Sequence, residues 1–360
     1  MRQVRAVVLG AALLAVVGCG RGGDDSFAEA TPDFDGLSLE ISGAASEGAA
    51  LSGTTQQGLG ENAPEYLKNA REAVANLNAH VKKAIEPIAE LVAANVGKTQ
   101  PGDSKVYGPK DRGNATYRFT IKRQTQVRFG WLLQAKPLGA DDSAYKAIAA
   151  GALTKGELPH RGRGVIGIDL DNLKAVDSAT KGQGKLLCGF AHVGDTKTLV
   201  YGLKGFTPDA SVHEPVNAAF VGHRLMPSRA TRVRMASFSN VVKTTDAKEL
   251  VRSRVRYIPG IGGRADVLAT GGDVPAGKVY VGSACWDAQE NEGFAVLRVC
   301  DRGQPLTCQV VETRGQLSNC QREVEREELP PENAEDLSLE PEAPAGDIAP
   351  PGEMPSGSGE

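Results

Sequence analysis

Eight basic residues stand at even spacing in three sets: Arg118, Lys122 and Arg128; Arg232 and Arg234; Arg252, Arg254 and Arg256. On a strand, residues two apart project from one face. If the strands carrying them are neighbours, the sets merge into a cationic patch. Guanidinium forks match phosphate oxygens in geometry and charge, so such a patch suits phosphate-bearing lipid or lipopolysaccharide groups. Arg232, Arg234, Arg252, Arg254 and Arg256 are the candidate anion-binding residues. A solvated outer face, paired with acidic parts of the chain, explains the same positions without a ligand.

Six cysteines are present, Cys19 near the start and Cys188, Cys285, Cys300, Cys308 and Cys320 in the body. In an oxidising compartment the body cysteines read as disulfides with one thiol left over. The segment 300–308 resembles a hairpin with its turn at Arg302-Gly303-Gln304-Pro305. A bridge across its base leads to the pairing Cys300–Cys308 and Cys285–Cys320, with Cys188 free and buried, although spacing alone does not select one pairing. A zinc site is disfavoured because no Cys-x-x-Cys occurs and no histidine lies near the cluster.

Catalytic patterns are sparse. Gly162-Arg-Gly-Val-Ile-Gly167 matches G-x-G-x-x-G, but it runs into strand-like Ile166-Gly-Ile-Asp-Leu rather than opening a helix. It therefore reads as a bend or a close backbone approach. Asp169-Leu-Asp171-Asn172, with His160 upstream, has the composition of a metal or acid–base cluster. Asp171 or Asn172 capping a short helix at 173–176 accounts for it equally. The five histidines show no ligand spacing, and neither G-x-S-x-G nor H-E-x-x-H occurs. No catalytic residue, metal ligand or cofactor is assigned.

The elements that must hold these residues follow from two periods. Leu67, Ala70, Val74, Leu77, Val81, Ala84, Ile88 and Leu91 repeat at steps of three and four, one apolar stripe of a helix. Asn62 caps it, Pro64 suits its first turn and Gly97 stops it, while Pro87 should kink or split it. The stripe serves either a coiled-coil partner or, as we prefer, the protein's own sheet. From about 104 to 313 the period is two: Tyr117, Phe119, Ile121; Val127, Phe129, Trp131; Leu199, Tyr201, Leu203; Val251, Val255, Tyr257; Val279, Val281. Turn signals at Gly194-Asp195, Gly262-Gly263, Gly271-Gly272-Asp273 and Asp301-Arg302-Gly303 separate the runs. The fold class is mainly β, an antiparallel meander forming a barrel or half-barrel with one long N-terminal amphipathic helix, α+β overall. Short helical insertions are expected at Ser143–Ala150 and Asp171–Val176, and a short strand at Leu37, Leu39 and Ile41.

Charge divides the chain. Residues 20–60 carry one Arg against seven acids, 321–360 two Arg against twelve, and 61–320 hold 36 Lys and Arg against 25 acids. A basic body thus lies between acidic arms that lack the apolar content to fold.

At the start, Arg2 and Arg5 precede the twelve apolar residues Ala6–Val17, too few for a span of about 20 residues. They have the length of a signal-peptide core. Val16-Val17-Gly18-Cys19 resembles the lipobox of bacterial lipoproteins. The resemblance implies lipidation of Cys19, stable anchoring by several acyl chains and, with Gly20 rather than Asp following, the outer membrane. The layout expected is signal peptide 1–18, lipidated and flexible acidic tether 19–60, helix 61–100, disulfide-bearing β domain 101–320 and disordered acidic tail 321–360. The role expected is non-enzymatic binding or scaffolding in the envelope, with a hydrophobic or anionic lipid held between sheet and helix. Partners are the membrane through the anchor, and a lipid or envelope protein, but not nucleic acid. An adaptor within an envelope complex and a hydrolase of envelope polymers are the alternatives. A half-barrel carrying a helix is similar in outline to outer-membrane lipoprotein carriers, a likeness of architecture without a shared motif.

Overall fold

A computed structural model of the chain describes residues 26–32, 34–39, 41, 64–94, 98–100, 103–156, 162–194, 196–209, 211, 214–225, 230–302 and 307–320. The signal stretch, Cys19, His160 and the acidic tail lie outside these residues.

The period-two runs fold into one antiparallel sheet. Its strands are β1 (Lys98–Gln100), β2 (Ser104–Arg112), β3 (Ala115–Arg123), β4 (Arg128–Pro137), β5 (Lys146–Lys155), β6 (Gly162–Asp169), β7 (Gln183–Val193) and β8 (Thr196–Thr207). They continue as β9 (Val216–Leu225), β10 (Thr231–Ser239), β11 (Glu249–Ile258), β12 (Gly262–Thr270), β13 (Lys278–Trp286), β14 (Glu292–Asp301) and β15 (Cys308–Gly315). Each strand pairs with its neighbours in sequence, so the order runs from β1 to β15 as a meander. The sheet is open, not a closed barrel, with β1 and β15 as its edges. Along β15 most residues are exposed, and Glu312 and Arg314 give that edge charges that discourage further pairing.

One helix, α3 (Glu65–Ala93), lies on the sheet. All eight stripe residues from Leu67 to Leu91 are buried, so the stripe serves the protein's own core. The expected cap Asn62 and stop Gly97 lie outside the described residues. Pro87 does not split the helix, which continues unbroken to Ala93. A helix-interior proline costs about 3 kcal/mol. Burying Ile88 and Leu91 beyond it returns about 1.5–3 kcal/mol each, which outweighs that cost.

The Tyr66 hydroxyl sits against Gly282 of β13, and a Leu91 methyl against Gly108 of β2. Those residues are ~37 Å apart along the helix, whereas the eleven strand spacings from β2 to β13 span ~50 Å of sheet. The sheet therefore bows around the helix.

The stretch expected as a flexible tether is in part built into this core. Two single-turn helices form, α1 (Ser26–Glu29) and α2 (Phe34–Leu37); Leu39 and Ile41 lie in no strand, and Phe27, Leu37, Leu39 and Ile41 are buried. Phe27 meets Phe129 edge-on at 5.8 Å. Leu39 donates its N–H to Asn78 Oδ1 at 3.0 Å. The Tyr201 hydroxyl donates to the Leu37 carbonyl, and the Lys197 ammonium to that of Asp35. Four apolar side chains suffice to tie down a segment whose composition is otherwise polar.

The insertion expected at 143–150 is also corrected. Only Asp142–Ala144 form a helical turn, and Lys146 onwards is β5. The alanines there favour a helix locally, but pairing with β4 and packing of Gly151 beneath the Trp131 ring decide for strand.

Candidate anion-binding face

Alternation on β10–β12 assigns the two faces. Val233, Val255, Tyr257 and Ala265 turn to the core beneath α3, so Arg232, Arg234, Arg252, Arg254 and Arg256 turn to the opposite face. Register then brings the two arginine sets together. Arg232 stands opposite Arg256, and Arg234 opposite Arg254. Across the next pairing, Arg256 faces Arg264 and Arg254 faces Asp266. Arg264 in turn stands opposite Cys285 of β13. A row Arg232–Arg256–Arg264–Cys285 thus crosses four strands, with Arg234–Arg254–Asp266–Ser283 beside it.

Asp266 organises the second row. It accepts Arg264 Nε at 3.0 Å, the Arg264 terminal nitrogen at 2.9 Å, the Ser283 hydroxyl at 2.8 Å and an Arg254 nitrogen at 3.4 Å. Arg254 and Asp266 are 6 % and 5 % exposed, which makes this pair part of the frame, while Arg232, Arg234, Arg252 and Arg256 are half-buried. Like charges placed directly opposite each other across strands repel. Among the described residues of β10–β12, this face carries six guanidinium groups and the carboxylate of Asp266. Arg264 and Asp266 escape a search for runs of arginine; their signal is the alternation Arg264, Asp266, Leu268 with Ala265 and Val267.

The third basic set does not join. Arg118, Lys122 and Arg128 lie on β3 and β4, far along the sheet from β10. Arg118 is held by Gln134 at 2.9 Å and lies over the Tyr145 ring at 4.1 Å.

Comparisons with protein-family models, characterised proteins and solved structures return no match.

The remaining motifs prove structural. Gly162 and Gly164 belong to strand β6, not to a helix start. Gly162 has φ +151°, and a Cβ there would stand 2.2 Å from the Thr154 carbonyl oxygen. One on Gly164 would stand 2.3 Å from the Ala152 oxygen and 2.7 Å from the Phe190 ring. The glycines thus permit close backbone approach, as expected. Helix α4 (Leu170–Val176) is capped by Asp169, whose carboxylate accepts the Asn172 N–H at 2.9 Å, rather than by Asp171 or Asn172. Asp171 instead accepts the Gly184 N–H at 2.9 Å. Among the described residues no group of His, Cys, Asp and Glu has metal-binding geometry, and no helix is long and apolar enough to cross a membrane.

The cysteines pair as Cys285–Cys320 and Cys300–Cys308, with Cα–Cα separations of 5.8 and 4.0 Å. Cys188 is free and buried, and burial pushes its thiol up to about 12. Burial likewise lifts the neighbouring Tyr201 hydroxyl well above its ordinary range. A group held protonated in this way is a core residue, not a nucleophile.

Proposed function

We propose that this chain is a lipid-anchored envelope protein with a non-enzymatic binding role, and that its ligands are phosphate-bearing lipid headgroups held on the arginine face of β10–β12. The observation that carries the reading is the register, which sets Arg232, Arg256 and Arg264 in one row with Arg234 and Arg254 beside it. The expectation of a ligand between sheet and helix finds less support. Trp131, Tyr201, Tyr257, Trp286, the α3 stripe and Leu37 and Leu39 occupy that space together.

The anchor's placement supports a headgroup ligand. Ser26 accepts a hydrogen bond from Arg123 at the end of β3, and Phe27 packs on Phe129 at the start of β4. In an antiparallel meander the end of β3 lies on the same rim as the start of β10, the end of β11 and the start of β12. That rim carries Arg232, Arg256 and Arg264. Cys19 lies seven positions before Ser26, a reach of ~25 Å at most. A lipidated Cys19 would therefore keep this rim close to the membrane surface, where each Lys or Arg contributes about 1 kcal/mol of attraction to anionic lipid.

Two measurements test this. Cys19→Ala should move the protein from the membrane pellet to the soluble or unprocessed fraction, and unchanged pelleting through high-salt washing rejects the anchor. In that lipid-free background, Arg232→Gln/Arg252→Gln/Arg256→Gln should weaken binding to phosphatidylglycerol vesicles by roughly 100-fold, from three cations at about 1 kcal/mol each. Arg254 stays, because Asp266 needs it. Equal binding by both chains removes the face from consideration.

A further inference from the structure

We infer that the outward face of β4–β8 is a membrane-seating surface, an apolar crown bordered by cations that rests on an anionic bilayer. The inference adds a contact to the lipid-binding reading, but it depends neither on the arginines of β10–β12 nor on the anchor.

Register draws the crown. Ala152, Val165, Gly189 and Val200 stand in one row across β5, β6, β7 and β8. Two residues away along each strand, Ala150, Gly167, Leu187 and Gly202 form a second row. Gly130 and Leu132 of β4 end the two rows. Sequence neighbours such as Trp131, Leu153, Ile166, Leu186 and Tyr201 belong to the core beneath α3, so alternation turns both rows outward. The rows hold aliphatic side chains and glycine alone. They run ~19 Å across the strands and ~14 Å along them, an apolar patch of ~300 Å², the size at which such a patch on a monomer is often functional.

Among the described residues nothing covers the crown. Val165 and Val200 are 50 % and 47 % exposed. A Cβ added to Gly189 or Gly202 would meet no atom within 4 Å, so open space stands over the middle of both rows.

Charge says what suits it. Lys122 of β3 stands opposite Gly130. Arg128 and Arg163 lie two residues from Gly130 and Val165 on their strands, and Lys204 two residues beyond Gly202; all four are exposed. Strands β3–β8 contain one acidic residue, Asp169, and it is buried and paired with Lys185 at 3.2 Å. An apolar centre with a cationic border matches the boundary of an anionic bilayer. The valines and leucines enter the acyl region, while the lysines and arginines reach along their aliphatic stems to the phosphates.

Shape argues against a second copy. The sheet bows around α3, so this face, midway along the strand order, is convex. Two convex crowns touch over little area, and their cationic borders would repel. A protein partner draws its affinity from aromatic or arginine anchors seated in pockets, whereas this face offers neither anchor nor pocket. A bilayer conforms to it without either.

The test uses the full chain carrying Cys19→Ala, so that no acyl chain contributes, and vesicles of phosphatidylglycerol and phosphatidylcholine in equal parts. An environment-sensitive thiol fluorophore is attached at Val200→Cys. Cys188 is buried and the other body cysteines are paired, so the label goes to one site. Vesicles should shift its emission to the blue, and the same label at Val311→Cys on the edge strand β15 should not move. At saturating vesicles the shift should persist in the Arg232→Gln/Arg252→Gln/Arg256→Gln background, so failure of the arginine site and failure of the crown are read separately. In a second arm, Val165→Thr/Val200→Thr, which keeps the shape and β-branching of both side chains, should weaken vesicle binding about ten-fold, from the apolar area of two half-exposed valines. A label unmoved by vesicles, or equal binding by the valine and threonine chains, overturns the inference. So does a shift that grows with protein concentration alone, which assigns the crown to a second copy. A shift produced by lipid-free envelope extract but not by vesicles assigns it to a protein, and overturns the inference too.

Discussion

Arg71 of α3 and Glu290 of the β13–β14 turn form a two-pronged ion pair, with Arg71 Nη1 at 2.7 Å from Glu290 Oε2 and the second nitrogen on Oε1. The same guanidinium donates Nε to the Ile41 carbonyl at 2.6 Å and lies over the Tyr257 ring at 5.9 Å. One side chain thereby joins the helix, the N-terminal segment, β11 and the β13–β14 turn. The side chains are 18 % and 9 % exposed, so little solvent screens them. Removing one partner of such a pair leaves an uncompensated charge, and Arg71→Ala should cost about 3 kcal/mol. Urea denaturation measures this. A double-mutant cycle with Glu290→Gln should show coupling, because Glu290→Gln costs much less once Arg71 is gone. Additive losses would reject the pairing.

Glu249 is fully buried at the start of β11. Burial pushes its carboxyl up, but the N–H groups of Asp273 at 2.8 Å, Val241 at 2.7 Å and Val242 at 3.3 Å outweigh burial and hold it below its ordinary 4.5. A carboxylate with a depressed folded value stabilises the fold fully above its unfolded value and loses that contribution as pH falls through the folded one. Thermal melts of the wild type should therefore fall below about pH 4.5 more steeply than those of Glu249→Gln, which should also be less stable at neutral pH. Parallel pH profiles for the two chains would show that Glu249 carries none of the dependence.

Cys188, buried beside Tyr201 and with its thiol at about 12, should resist aromatic disulfide reagents in the native protein at pH 8. Unfolding in denaturant without reductant should release one reactive body thiol per chain, since the other four body cysteines are paired. Rapid reaction of the folded protein would place Cys188 at the surface.

The two disulfides should differ in weight. Cys285–Cys320 closes a separation of 35 residues and Cys300–Cys308 one of 8. Loop-closure entropy then assigns them about 4 and about 2.5 kcal/mol. Serine pairs at 285 and 320 should accordingly lower stability more than serine pairs at 300 and 308, by urea midpoint at constant slope.

By itself the sequence determined the elements. The steps of three and four from Leu67 to Leu91 specify a helix face, and the alternation from Tyr117 onwards specifies strands, because both periods are local properties of the backbone. The meander followed from short turns between those strands, while the hairpin at 300–308 offered one bridge without selecting the full cysteine pairing. Tertiary structure decided everything that depends on which distant residues become neighbours. Register set Arg232 against Arg256 and placed Asp266 among the arginines. The same composition that reads as a tether around Phe27 to Ile41 packs once a bowed sheet offers Phe129 and Tyr201 to receive it. Pro87 stays inside a helix because buried Ile88 and Leu91 outweigh one missing hydrogen bond. Arg232 and Arg256, and Phe27 and Phe129, lie far apart along the chain, and a pattern read along it carries no signal for a contact made across it.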